Sequence, residues 1–279
     1  MKNKTTIYSN LLLNDIKNTI RYSIGLNNKS EKNIILNGNL EEYFLYDNST
    51  YFEDDFLEEV IKLIVEVIKK GRAFAIILKT SDELGVVKGL EIYKLDYIFR
   101  FSGLKRVYFI QKYSVINSKK IYHIKTYKKS EVIKISYKRL NINSIKIKRI
   151  LRKLKKFNSL EKLLDLSKEK FLLPKELKKN KENEMVKVLK LTKKIGWNER
   201  ESIYLTLPYK LYREVKFYKF LINIFNRTID IINEEIKKQK DINVTGNIKV
   251  NTKDINKLNE LINQVLSGNC ECDELKKYL

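Results

Sequence analysis

The sequence predicts an α+β protein: an antiparallel β-meander flanked by helices, then a mainly helical C-terminal half with one long helix and a small β-hairpin. Three observations predict it. From Gly71 to Tyr137, β-branched and aromatic runs (RAFAIILK, VVKGLEIYKL, RVYFIQKYSVI, IYHIKTY, EVIKISY) alternate with short polar or Gly-containing turns. Helical periodicity flanks this stretch on both sides. Beyond Pro208, apolar residues recur at spacings of four and three for about seven turns. The composition shift near residue 140 divides the chain into a helix-plus-sheet part, 1–140, and a mainly helical part, 141–279.

The first helix is expected to start with Ser9 or Asn10 as cap, to carry Leu12, Ile16, Ile20 and Ile24 on one face, and to stop at Gly25. Residues 26–50 are polar with short apolar interruptions, consistent with a loop carrying one strand. Ser49 or Thr50 can cap a second helix with Glu53, Asp54 and Asp55 in its first turn and Lys69 and Lys70 in its last, matched to the helix dipole. Its stripe is Phe56, Val60, Ile64 and Val67, widened by Leu57, Ile61 and Ile68, and Gly71 turns the chain into the sheet.

After the meander, residues 138–156 read KRLNINSIKIKRILRKLKK, without an acid. Ser144 can cap a helix with Ile147, Ile150, Leu151 and Leu154 on one face, while Lys146, Lys148, Arg149, Arg152, Lys153, Lys155 and Lys156 crowd the rest. These seven cations are the candidate nucleic-acid contacts, since phosphate binding rests on clustered Lys and Arg; the other reading is a solvated face in a Lys-rich chain. Asn158 and Glu161 have capping-box spacing for a helix to about Phe171, Pro174 can open another and Gly196 can end it. LKKNKENE, Leu177 to Glu184, is polar enough for a mobile surface segment or a boundary.

Residues 188–207 have the loose outline of a helix-turn-helix; the simpler reading is two helices and a connector anchored by Trp197. From Pro208 to Lys240 a helix of roughly 50 Å is expected. Its seam is Leu211, Val215, Tyr218, Ile222, Phe225, Ile229, Ile232 and Ile236, with Phe217, Leu221 and Ile224 broadening it. A helix this long must pack on another helix or, in a homo-oligomer built through Leu211–Ile236, on another subunit. INV-TGN-IKV reads as a hairpin around Gly246, and Thr252 can cap a last helix bearing Ile255, Leu258, Ile262 and Val265.

The chain of 279 residues carries a formal net charge of +23, which points to a polyanionic partner; Lys-, Asn- and Ile-rich coding of the kind AT-rich DNA produces is the alternative source. Phosphate-loop, dinucleotide-fold and nucleophile-elbow motifs are missing. The single histidine, His123, falls mid-strand, and Cys270 and Cys272 are too few for a disulfide framework or a closed zinc site. Carboxylate-x-Lys tripeptides of the nuclease type, Glu176–Lys178, Glu214–Lys216 and Glu274–Lys276, fall in helical text. The expectation is a non-enzymatic protein without cofactor or metal. It shows neither a secretory leader pattern nor a membrane-length apolar run, so a soluble protein of the cytoplasm is expected.

KKGRAFAIILK, GLEIYKLDYIFRF, KRVYFIQKYSV, KKIYHIKTY and EVIKISY, over about residues 52–137, form an order of acid-rich helix, Gly, strand and strand pairs. It resembles the wing region of tailed-bacteriophage portal proteins, the head–tail connectors. The chain departs from that family in being short and more basic, and in lacking a Pro after Asp96. The resemblance implies a virion ring subunit through which DNA passes, with other virion proteins as partners and the basic helix facing DNA. The alternative is a basic nucleic-acid-binding protein such as a replication or plasmid-maintenance factor.

Overall fold

The computed structural model describes residues 7–24, 34–44, 51–81, 83–84, 87–95, 106–114, 120–128, 131–157, 175–198, 205–239, 245–252 and 254–278. Its elements run α1 (Ile7–Ser23), β1 (Ile34–Leu36), α2 (Leu40–Phe44), α3 (Tyr51–Lys70), β2 (Arg72–Ser81), β3 (Val87–Leu95), β4 (Arg106–Ser114), β5 (Lys120–Lys128), β6 (Val132–Ser136), α4 (Ser144–Leu154), α5 (Lys175–Thr192), α6 (Leu207–Lys237), β7 (Ile248–Val250), α7 (Ile255–Leu266) and α8 (Cys272–Tyr278). The fold is α+β, as expected.

The chain divides into two compact units, and neither is continuous in sequence. A helical unit comprises Met1–Ser23, Ile145–Asn223 and Thr252–Leu279; a sheet unit comprises Ile24–Ser144 and Ile224–Asn251. One boundary between the units falls between Ser144 and Ile145, and each unit draws residues from both sides of it. α1 belongs with the helical unit because Tyr8, Leu12, Ile16 and Ile20 bury a stripe there, and residues 224–251 complete the sheet unit.

In the sheet unit, α3 buries Phe56, Leu57, Val60, Ile61, Ile64, Val67 and Ile68, the stripe its periodicity predicts. It packs on β2, β3 and β6. Gly71 ends it at φ 87°, its N–H donating to the carbonyl of Val67 at 2.6 Å. This left-handed conformation is natural only for glycine, and lets the chain enter β2 at once. The caps expected at Ser49 or Thr50 lie outside the described residues.

The strands do not form one consecutive meander. β2 lies between β3 and β6 in an antiparallel sheet of order β3-β2-β6, while among the described residues β4 and β5 pair only with each other. β6 returns to β2 because Ile133 and Ile135, two residues apart and so on one face, are buried together with Ala73 and Ala75. The Tyr137 hydroxyl, buried, donates to the carbonyl of Ile68 at 2.5 Å and ties the end of the sheet to α3.

The expected hairpin at Gly246 is also different. Its first arm, 242–244, lies outside the described residues, and its second arm, β7, takes β1 as antiparallel partner. The Asn37 amide donates to the Asn247 carbonyl at 3.1 Å, and the two side chains bond at 3.0 Å. A Cβ on Gly246 would lie 1.5 Å from the Asn37 carbonyl oxygen, so only glycine permits this approach. Asn233 clamps Ile248, donating to its carbonyl at 2.9 Å and accepting from its N–H at 2.8 Å.

α6 has 31 residues. Every seam residue from Leu211 to Ile236 is buried. Leu211, Val215, Tyr218 and Ile222 pack against Leu258, Ile262 and Val265 of α7 and Leu275 of α8; Phe225, Ile229, Ile232 and Ile236 are buried beyond them. The seam is therefore filled within the chain, and a homo-oligomer built through Leu211–Ile236 is not what this burial describes. In the sheet unit, Arg139 pairs with Glu235 at 2.8 Å and Glu234 at 3.0 Å.

Two smaller corrections concern helices. α1 starts at Ile7, so Ser9 lies inside it; Tyr8, fully buried, extends the apolar stripe back by one turn. LKKNKENE lies within α5, since Lys and Glu are good helix formers even without an apolar face. The helix expected from Asn158 to Phe171 lies outside the described residues. Among the described residues no helix is long and apolar enough to cross a membrane.

Candidate nucleic-acid interface

α4 forms where Ser144 opens it, and it buries Ile147, Ile150, Leu151 and Leu154 as its spacing dictates. That leaves the cations outward: Lys148, Arg149, Arg152, Lys153, Lys155 and Lys156 are exposed and Lys146 is half-buried. Arg152 and Lys153 in the last turn suit the helix dipole. The remaining arrangement is locally unfavourable, because Lys146, Arg149 and Lys153, like Lys148 and Arg152, are like charges three or four residues apart, each pair costing a few tenths of a kcal/mol.

The structure divides these seven residues. Lys146, Arg149 and Lys153 line one wall of a groove of about 500 Å³, and Lys187, Lys190 and Lys194 line the other. Ile150, Phe157 and Leu191 supply its apolar surface, and among the described residues no carboxylate lines it. Lys148, Arg152, Lys155 and Lys156 are exposed outside the groove lining. Burial lowers the pKa of Lys146, and Lys194 and Lys216 lower it further, so like charges act on one another across this surface.

Sequence reasoning missed the second wall. Lys187, Lys190 and Lys194 follow the i, i+3, i+7 spacing that puts side chains on one helical face, but the sequence reads there only as a helix between Pro174 and Gly196, with a loose helix-turn-helix outline over 188–207.

The second wall is held in place by a buried polar cluster. α5 ends at Thr192, and Gly196 adopts φ 83° with its N–H on the Thr192 carbonyl at 3.0 Å. A Cβ there would lie 2.5 Å from the Arg213 carbonyl oxygen and 2.6 Å from the Phe217 nitrogen, so the turn 193–196 abuts the backbone of α6. Arg213 is 2% exposed. Its guanidinium donates to the carbonyl of Leu189 at 3.3 Å, to the Thr192 hydroxyl at 2.9 Å and to the Trp197 carbonyl. Burial pushes its pKa down. Trp197 is buried, as expected of the connector's anchor; its indole N–H donates to Asp15 at 2.8 Å and its ring meets Tyr8 edge-on.

A second cavity, of about 340 Å³, adjoins Trp197 and is lined by Asp15, Asn198, Lys210 and Glu214 among others. One of its two carboxylates, Asp15, already holds the indole. The three carboxylate-x-Lys tripeptides fall on α5, α6 and α8. Residues two apart on a helix do not face each other, so these pairs cannot converge on one metal or phosphate. His123 sits in β5 opposite Gln111. Cys270 is a free thiol whose Sγ bonds to Glu274 at 3.1 Å, a contact that raises its pKa. Among the described residues no three His, Cys, Asp or Glu side chains are placed to hold a metal. The chain matches no protein-family model, and no curated protein matches it in sequence.

Proposed function

We propose that the protein binds nucleic acid through the groove between α4 and α5. One observation carries the reading: six cations from α4, α5 and the turn after α5 converge on a groove that, among the described residues, no carboxylate lines. Their mutual repulsion is relieved by phosphates, and the release of counterions drives binding. The formal charge of +23 adds long-range attraction. A lipid surface is a poorer fit, because the apolar face of α4 is spent in the core; Ile145 is the only large hydrophobic on that helix left strongly exposed.

The test is binding of a labelled oligonucleotide across a salt series. Log K is expected to fall linearly with log salt. Changing Arg149, Lys153, Lys190 and Lys194 together to Gln should flatten the slope by about 3, at roughly 0.7 per phosphate contact on a single strand. An unchanged slope overturns the assignment of the groove.

A second reading, a portal-like ring subunit of a virion, is supported by the order α3, Gly71, β2, β3 and by the separate β4–β5 hairpin. Its subunits would have to meet through surfaces other than the filled seam of α6. Light scattering at low and high salt separates the two: a discrete, salt-resistant assembly of many subunits favours the ring, and a monomer or dimer leaves nucleic-acid binding alone.

A further inference from the structure

The start of α6 carries two tyrosines on one face. Tyr209 and Tyr212 are 36% exposed, with ring centroids 6.1 Å apart and planes 20° from parallel. The ammonium of Lys216 lies 5.8 Å from the Tyr212 ring centroid. Unlike the seam residues of the same helix, these rings do not build the core.

Their position links them to the groove. The turn 193–196 bears Lys194, which lines the groove, and the same turn abuts α6 where a Cβ on Gly196 would lie 2.9 Å from the Cβ of Lys216. Lys194 and Lys216 both act on the Lys146 ammonium. Cationic groove, Lys216 and stacked tyrosines therefore form one neighbourhood within the helical unit, and Phe157 adds a third ring in the groove lining.

We propose that this surface takes single-stranded nucleic acid, with phosphates along the groove cations and an unpaired base stacked on the exposed face of the Tyr212–Tyr209 pair. The proposal rests on the nucleic-acid reading of the groove and narrows it. A backbone-tracking cationic groove beside aromatic faces is the arrangement that holds single strands without reading sequence. A duplex keeps its base faces inside the stack and is read by elements that protrude into its grooves, whereas this surface is concave.

The test compares one mixed sequence of about 16 nucleotides as single-stranded DNA, single-stranded RNA and duplex DNA, at fixed salt, by fluorescence anisotropy. Tyr212→Leu removes the stacking face and Tyr212→Phe keeps it. Tyr209 is left intact because it lies close enough to act on the charge of buried Arg213. Either single strand should bind at least tenfold more tightly than the duplex. Tyr212→Leu should lose about fivefold or more on single strands with the salt slope unchanged, and Tyr212→Phe should bind as the parent does. Ultraviolet crosslinking of the unaltered protein to the single strand should place the adduct on the peptide containing Tyr209 and Tyr212, which keeps the test valid should the leucine variant misfold. Duplex binding as tight as either single strand, Tyr212→Leu without effect, Tyr212→Phe as weak as Tyr212→Leu, or an adduct elsewhere each overturns the proposal while leaving the groove reading standing. Absence of salt-dependent binding to any of the three overturns the groove reading itself. Preference between the DNA and RNA strands identifies which of the two the site takes.

Discussion

Arg213 and the groove cations belong to the same helical unit and are treated in opposite ways. Arg213 is buried, and its donors go to two backbone carbonyls and a hydroxyl that join the end of α5 and Trp197 to α6. The groove cations stand at or near the surface, three on α4, two on α5 and Lys194 in the turn after it, and among the described residues no carboxylate enters their lining. A buried charge costs several kcal/mol unless polar groups surround it, so Arg213 persists only because the fold uses it as a clamp. Charges clustered at a surface contribute little to folding and here repel one another. The first kind of charge builds the wall; the second is what the wall displays.

This contrast orders the expected effects of substitution. Arg213→Met should cost the most, about 3 kcal/mol or more, because it removes the charged donor from the Leu189 carbonyl and the Thr192 hydroxyl and leaves the Trp197 carbonyl to Thr192 Oγ1, 2.7 Å away. Urea unfolding followed by Trp197 fluorescence measures it, and a loss under about 0.5 kcal/mol would break the comparison.

Next comes a buried neutral group in the sheet unit. Burial pushes the pKa of Tyr137 up to about 12 from its ordinary 10.0. The folded state thus holds the phenolic proton more tightly than the unfolded chain does. Its contribution is complete below pH 10 and is lost as pH rises from 10 towards 12, to an extent of about 2–3 kcal/mol at most. Unfolding at pH 9, 10.5 and 11.5 should show this decline, and Tyr137→Phe should flatten it; equal declines in both would assign the effect to other groups.

The smallest expected change in stability is that of the Gln variant at Arg149, Lys153, Lys190 and Lys194. It should unfold within about 0.5 kcal/mol of the parent, or slightly later at low salt as repulsion is relieved, while losing its salt-dependent binding. A large destabilisation would put these residues with Arg213 and erase the distinction.

How much of this could be read in the sequence depends on the range of the interaction. Helical faces follow from local spacing, so the stripe of α3, the four buried residues of α4 and the whole seam of α6 were legible. Gly71 was legible because a helix running directly into a strand needs a left-handed residue. Strand partners were not, because alternation assigns faces but does not say that β6 skips β4 and β5 to reach β2. Half of the groove was legible as the basic run from Lys146 to Lys153. The other half was hidden because Lys187, Lys190 and Lys194 are interleaved with ordinary core residues such as Val188. That Arg213 would be a clamp was invisible, since on a helix rich in Lys and Arg nothing local marks the one cation that turns inward.

The pairing of β1 with β7 has a consequence for biosynthesis. Asn37 and Asn247, which bond side chain to side chain, are separated by 210 residues. At a translation rate of about 5–20 residues per second, β1 waits roughly 10–40 s on the ribosome for its partner. Throughout that interval its backbone lacks the ladder it will finally form, and the sheet unit, interrupted by most of the helical unit, cannot close. The sheet unit of this chain can thus close only after Gly246 has been made, and a ribosome that stalls before it leaves a nascent chain with an unsatisfied strand for chaperones to cover.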